Sequence, residues 1–205
     1  MLPDRLLSPL SLPVMIALLL TAGCASTSYI EVTYQLPVTQ ANIGPKTVFL
    51  QVVDKRPQEA IAGPNTTGEL KHFTGLFSLY IAPDGKAPEL IGAFDLAALF
   101  EEAFKKRLEL EGVTVLDTEA ADKPSLEIQL KEFILDRDGK NWKASLAYKA
   151  VTSKAGRVLT NQTVSGGAER LKIVGTRDAE KLLGEIFSDM VNRLDPEKLL
   201  THPDL

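Results

Sequence analysis

One cysteine and two histidines in 205 residues leave little room for cross-linking or metal chemistry. A lone cysteine cannot close an intramolecular disulfide, and zinc sites built on cysteine and histidine need more ligands than the chain offers. Basic residues number 23 against 27 acidic ones, a formal net charge of -4. There is no lysine or arginine cluster at the density that nucleic acid demands, so nucleic-acid binding is not expected. Reaction motifs are missing too. His72 is the only histidine away from the C-terminus, and no serine sits in a Gly-x-Ser-x-Gly setting. Asp136-Arg-Asp-Gly139 lacks the later acidic ligands and closing glutamate of a calcium loop. Gly166-Gly167 has neither a following Lys-Ser/Thr nor a dinucleotide glycine spacing. Glu101 and Glu102 are adjacent on a helix and diverge by about 100°. These absences point away from an enzyme, and no cofactor or metal is expected.

What is present begins with the first two dozen residues. Arg5 is followed by an apolar stretch closing with Val14-Met-Ile-Ala-Leu-Leu-Leu20, then Thr21-Ala-Gly-Cys24. Ser8, Pro9, Ser11 and Pro13 interrupt the stretch, so it falls short of the roughly 20 apolar residues that cross a bilayer. A charged start, short apolar core and small-residue exit describe an export signal. The alternatives are a secretory signal with an incidental cysteine, or an anchor helix. A free thiol in an oxidising compartment is a liability that acylation removes.

Further along, 44% hydrophobic and 24% charged residues are close to the globular average, enough for one domain with a real core. Ala25 to Ser28 reads as a tether, and Tyr29 to Leu36 as an extended strand or arm. Thr47 to Val53 is the most continuously apolar β-type run, expected to be a central strand buried on both faces. It stops at Asp54-Lys-Arg-Pro57, where Asp54 and Arg56 read as a surface ion pair, with ligand binding the alternative. From Pro57 to Gly92, prolines and glycines punctuate the chain around Leu76-Phe-Ser-Leu-Tyr-Ile81. The segment is expected to be an insertion of loops and short strands, and Phe73, Phe77 and Tyr80 are its candidate partner contacts.

Asp95 caps a helix to about Glu111, with Leu96, Leu99, Phe100, Ala103, Phe104 and Leu108 on one face. Glu101–Lys105 and Glu102–Lys106 are expected as outward i,i+4 pairs. Gly112 ends it, and Val113 to Leu116 is a short strand. Leu126 to Lys131 alternates cleanly and slips at Lys131-Glu132, which predicts a β-bulge. Trp142 to Ala150 and Val158 to Val164 complete an antiparallel meander, broken at Gly166-Gly167. Thr176 starts a second helix with the apolar set Ala179, Leu182, Leu183, Ile186, Phe187, Met190, Val191 and Leu194. Asp195-Pro196 starts a final turn. The order predicts an α+β two-layer sandwich, a mainly antiparallel sheet carrying two amphipathic helices on one face.

Ala22-Gly23-Cys24 resembles the lipobox of bacterial lipoproteins, with Thr21 departing from the usual leucine. With the strand closed by Asp54-Lys-Arg56, the helix of Leu96 and Phe100, Gly112-Val-Thr-Val115 and the meander, the layout resembles the YajG family of lipoproteins. It is also similar to the N-terminal domain of TolB and to accessory lipoproteins of envelope systems. The resemblance implies three segments: a signal peptide over 1–23, lipidated Cys24 with tether and strand over 24–46, and one periplasmic domain over 47–205 with the insertion at 57–92. It implies acyl anchoring at Cys24, and Ala25 after it favours the outer membrane, facing the periplasm. The expected function is binding or scaffolding another envelope component, with the membrane and an envelope protein as partners. The alternative is an auxiliary lipoprotein of an ABC-type transport system that handles a lipid or small molecule.

Overall fold

The computed structural model describes residues 28–38, 43–173 and 176–203; Cys24 and the proposed signal lie outside them. The protein is α+β. Among the described residues eight strands form two sheets: β1 (Ser28–Gln35), β3 (Phe73–Ala82) and β4 (Glu89–Phe94) in the order β1-β3-β4, and a larger sheet in the order β5-β2-β6-β7-β8. The latter holds β2 (Lys46–Asp54), β5 (Val113–Leu116), β6 (Ser125–Asp138), β7 (Asn141–Lys154) and β8 (Arg157–Leu171). Helix α1 (Leu96–Leu110) lies against β2 and β5, and α2 (Arg177–Asn192) against β1, β7 and β8. A short α3 (Pro196–Leu200) follows α2.

Both helices dock because their apolar stripes meet one core. Phe100 of α1 packs on Phe187 of α2 at 4.8 Å between ring centroids, and on Phe133 of β6 at 5.7 Å. Phe133 in turn meets Phe77 of β3 edge to face at 5.8 Å, so a ring cluster joins both sheets to both helices. The α1 cap forms as expected: the Asp95 carboxylate accepts from the Ala98 N–H at 2.9 Å. Gly112 follows the helix at φ 84°, a conformation that suits a residue without a Cβ. The bulge is where the alternation slips, between Leu130 and Glu132, and it returns Phe133 and Leu135 to the buried face.

Several expectations change. Strand β2 is central, pairing in parallel with β5 and β6, yet only Val48, Leu50 and Val52 are buried while Gln51 is exposed. Among the described residues no layer covers the outer face of that sheet, so β2 alternates. The arm over Tyr29–Leu36 is β1, fully integrated through buried Ile30, Val32 and Tyr34. The segment 57–92 is no peripheral insertion, because β3 is the middle strand of the smaller sheet and buries Phe77, Leu79 and Ile81. Its leading strap replaces β2 beside β6. Where β2 ends, Leu135 donates to the Ile61 carbonyl at 2.8 Å and accepts from the Gly63 N–H at 2.9 Å. Only glycine fits there, since a Cβ on residue 63 would fall 2.3 Å from Asp136 Cγ.

Gly166-Gly167 does not break the meander; β8 runs through it. The missing side chain makes room for α2, because a Cβ at 166 would sit 2.6 Å from Met190 Cε. On α1, Lys105 lies 3.6 Å from Asp117 and Lys106 3.1 Å from Glu109, in place of the expected i,i+4 pairs. Thr176 holds the N-cap position of α2 without a side-chain bond.

Candidate functional site

The smaller sheet has two edges with opposite treatments. Along β1, the outward residues Glu31, Thr33 and Gln35 recur every second position, while α2 presents Glu180, Gly184, Ser188 and Asn192 every fourth. Two strand residues advance about 6.6 Å and four helix residues about 6 Å, so the stripes stay in step. Ser188 Oγ accepts from the Gln35 N–H at 2.9 Å and lies 3.1 Å from the Thr33 carbonyl. Asn192 Nδ2 donates to the Gln35 carbonyl at 2.9 Å, and its Oδ1 accepts from the Tyr34 hydroxyl at 2.8 Å. Glu180 Oε1 accepts from the Glu31 N–H at 3.4 Å. Gly184 brings the backbones together, since a Cβ there would stand 3.1 Å from the Thr33 carbonyl oxygen. Burial at this joint raises the Glu180 carboxyl above its usual value, and the bond from Glu31 only partly offsets it. An open groove of about 530 Å³ runs outside the joint, lined in part by Glu31, Arg177, Lys181 and Glu185.

Strand β4 forms the other edge, and no strand among the described residues pairs with its outer side. Leu90 and Ile91 are 55% and 37% exposed there. Ile91 is the extra residue of a register shift, because Leu79 faces Gly92 while Tyr80 faces Leu90. Tyr80 lies between Thr33 and Leu90 in register, on the outer face of the sheet, and is half-buried.

The three candidate contact rings therefore part company. Tyr80 is on the outer face. Phe73 is half-buried, packed on Phe77 at 5.1 Å. Phe77 is 1% exposed, wedged between Phe73 and Phe133, so the core takes a ring assigned to a partner. Its position in an alternating strand was the available signal, obscured by the prolines and glycines around it.

Other candidates resolve into structural roles. Arg56 forks onto Asp54 at 2.8 to 3.2 Å and reaches the Glu59 carbonyl at 2.9 Å. Its side chain is nearly buried, so this is a clasp anchoring the strap rather than a loose surface pair. The Arg56 hydrogen bonds hold the Asp54 carboxyl below its usual value. Sequence reasoning missed the Arg107–Glu111 pair in the last turn of α1, where both side chains are buried. Tyr34 and Tyr148 are electrostatically coupled to Arg107, and burial raises both hydroxyls well above the usual tyrosine range. Glu101 and Glu102 lie on α1, and burial and the Glu102 charge raise the Glu101 carboxyl. His72 is exposed beside Phe73. Among the described residues no group of three His, Cys, Asp or Glu side chains is placed to hold a metal. No helix among them is long and apolar enough to cross a membrane.

No protein-family model and no curated protein matches the chain. Among solved structures, the chain is similar to the protein XCC0632 from Xanthomonas campestris at 12% identity, covering 80% of this chain and 92% of that one, with a TM-score of 0.48. It is similar to a minor lipoprotein from Acinetobacter baumannii at 11% identity, covering 72% and 91%, TM-score 0.36. The rare lipoprotein B from Shewanella oneidensis shares 15% identity over 46% of this chain and 80% of that one, TM-score 0.39. No residue role is carried over from them.

Proposed function

We propose that this is a lipid-anchored, non-enzymatic protein of the bacterial cell envelope that captures an envelope partner along β4. The anchor is acylated Cys24, held to the outer membrane and facing the periplasm. Supporting it is the position of the chain's single cysteine directly after the small residues Ala22-Gly23. One acyl chain gives only marginal binding, so stable anchoring requires more than one.

The observation that carries the capture step is the open β4 edge with exposed Leu90 and Ile91, flanked by Tyr80. An unpaired edge offers main-chain donors and acceptors to an extended segment, and the aliphatic side chains add apolar contact. Lipid carriage has less support. The cavity beneath Tyr29, lined by Ile30, Leu70, Phe73 and Leu183 together with Glu69 and Glu180, holds about 50 Å³, below the ~300–1,000 Å³ of small-molecule sites. The groove along β1 reaches about 530 Å³, but it is open and bordered by the charged Glu31, Arg177, Lys181 and Glu185.

Co-purification of the acylated protein from envelope fractions tests the reading, using wild type beside Leu90→Lys/Ile91→Lys. Charge on the edge is expected to abolish capture while circular dichroism is unchanged. Undiminished capture overturns the β4 assignment and directs attention to the outer face of the meander around Lys143, Ser145 and Lys149. A stoichiometric lipid in the purified sample favours carriage.

A further inference from the structure

We infer that the end of the domain where β1 begins is a membrane-contacting surface, seated on the phospholipid headgroups. This inference rests on acylation at Cys24. Three residues, Ala25 to Thr27, separate Cys24 from Ser28; whatever path they take, the four Cα–Cα steps span at most about 14 Å. The anchor therefore sets the start of β1 at the bilayer, and the question is which surface surrounds it.

Contacts between elements define that end. Ser28 pairs with Phe73. Glu69, just before, binds Arg137 at the β6–β7 turn and Lys172 after β8, the latter at 2.6 Å. Ile173 donates its N–H to Asp178 in the first turn of α2 at 2.6 Å. The surface so gathered carries Tyr29, Leu171 and Ile173, at 39%, 52% and 76% exposure. These are three of the seven large hydrophobic residues exposed in the described structure, and their clustering at the tether is what a solvated end would not require.

Charge fits the same occupant. Lys71, Lys140 and Arg177 are exposed here, while Glu69 and Asp178 are engaged by Arg137, Lys172 and the Ile173 backbone. Asp138 is paired with Lys143 at 2.8 Å. A tyrosine and aliphatics among lysines and arginine suit an anionic headgroup layer, with apolar groups dipping below and cations at phosphate level.

Strand β8 provides a ruler. Val158, also exposed, lies at its other end, about 40 Å from Leu171 along the strand. The test uses the full-length acylated protein in phosphatidylethanolamine/phosphatidylglycerol vesicles, as Ile173→Cys and Val158→Cys. Acylation occupies Cys24, so each introduced thiol is the one labelled with a fluorescent probe, and nitroxide-bearing lipids serve as quenchers. The probe at 173 is expected to lose most of its emission and shift to shorter wavelength, with the probe at 158 unaffected. Equal quenching at both sites, quenching at 158 alone, or none at either overturns the inference while intact mass still shows acylated Cys24. If the mass lacks acyl chains, the anchoring reading falls, and this inference with it.

Discussion

Strands β1 and β4 bound the same three-stranded sheet, and the chain protects one edge and leaves the other bare. Sheet edges are liabilities because their unpaired N–H and C=O groups template pairing with other chains. Along β1 the hazard is removed by a helix: Ser188 and Asn192 supply donors and acceptors to Thr33 and Gln35, and Gly184 permits the close approach. Along β4 no helix or strand among the described residues gives such cover; the register shift at Ile91 bends the strand locally, and Leu90 and Ile91 are exposed. Negative charge could have blunted this edge, but only Glu89 contributes it. This contrast between a covered edge and an uncovered one is what the proposed capture along β4 draws on.

The largest effect comes from removing what the two edges share. Replacing Thr66 to Pro88 with a short Gly/Ser link deletes β3, and thermal melting of the product should show no cooperative transition. A retained transition would mean that β1 and β4 do not depend on the strand between them. Next, Gly184→Leu forces a side chain against the Thr33 backbone. Overpacking of this kind costs about 1–3 kcal/mol, read as a lower denaturant midpoint with faster amide exchange in β1 and none gained in β4. Ser188→Ala strips the hydroxyl that serves Thr33 and Gln35 and should cost about 1 kcal/mol by the same measurement.

A pH series separates burial from charge at the sealed edge. Burial raises the folded-state Glu180 carboxyl, so its contribution to stability is fully present below the unfolded-state value and lost as pH rises through the folded one. Glu180→Gln should therefore melt above wild type at neutral pH, with the gap closing as pH falls to the ordinary glutamate range. A gap independent of pH would remove burial as the cause. The smallest effect belongs to β4: Leu90→Lys should change stability by less than about 0.5 kcal/mol, since the side chain is exposed. A loss of several times that would show Leu90 to be packed and the edge not open.

What residues alone determined were the elements whose signals are local. The stripe of α1 from Leu96 to Leu108, the Asp95 cap, the Gly112 stop and the slip at Lys131-Glu132 were legible, because capping, 3.6-residue periodicity and strand alternation act over a few neighbours. The two-layer α+β arrangement followed from two one-sided helices that each need a sheet to cover. What tertiary structure decided was everything depending on distant partners. Pairing with β1 and β4 made a core strand of Phe73–Ala82 inside a segment whose prolines and glycines suggested loops. The same pairing buried Phe77 and left Tyr80 outside. Gly166 is a gap shaped to Met190 rather than a strand breaker. The sealing of β1 could be read from neither partner alone, since Glu180, Gly184, Ser188 and Asn192 form an unremarked polar stripe until the strand lies along them. Edges, and therefore the surfaces open to a partner, are set by which strands find each other across the chain, and no local pattern carries that information.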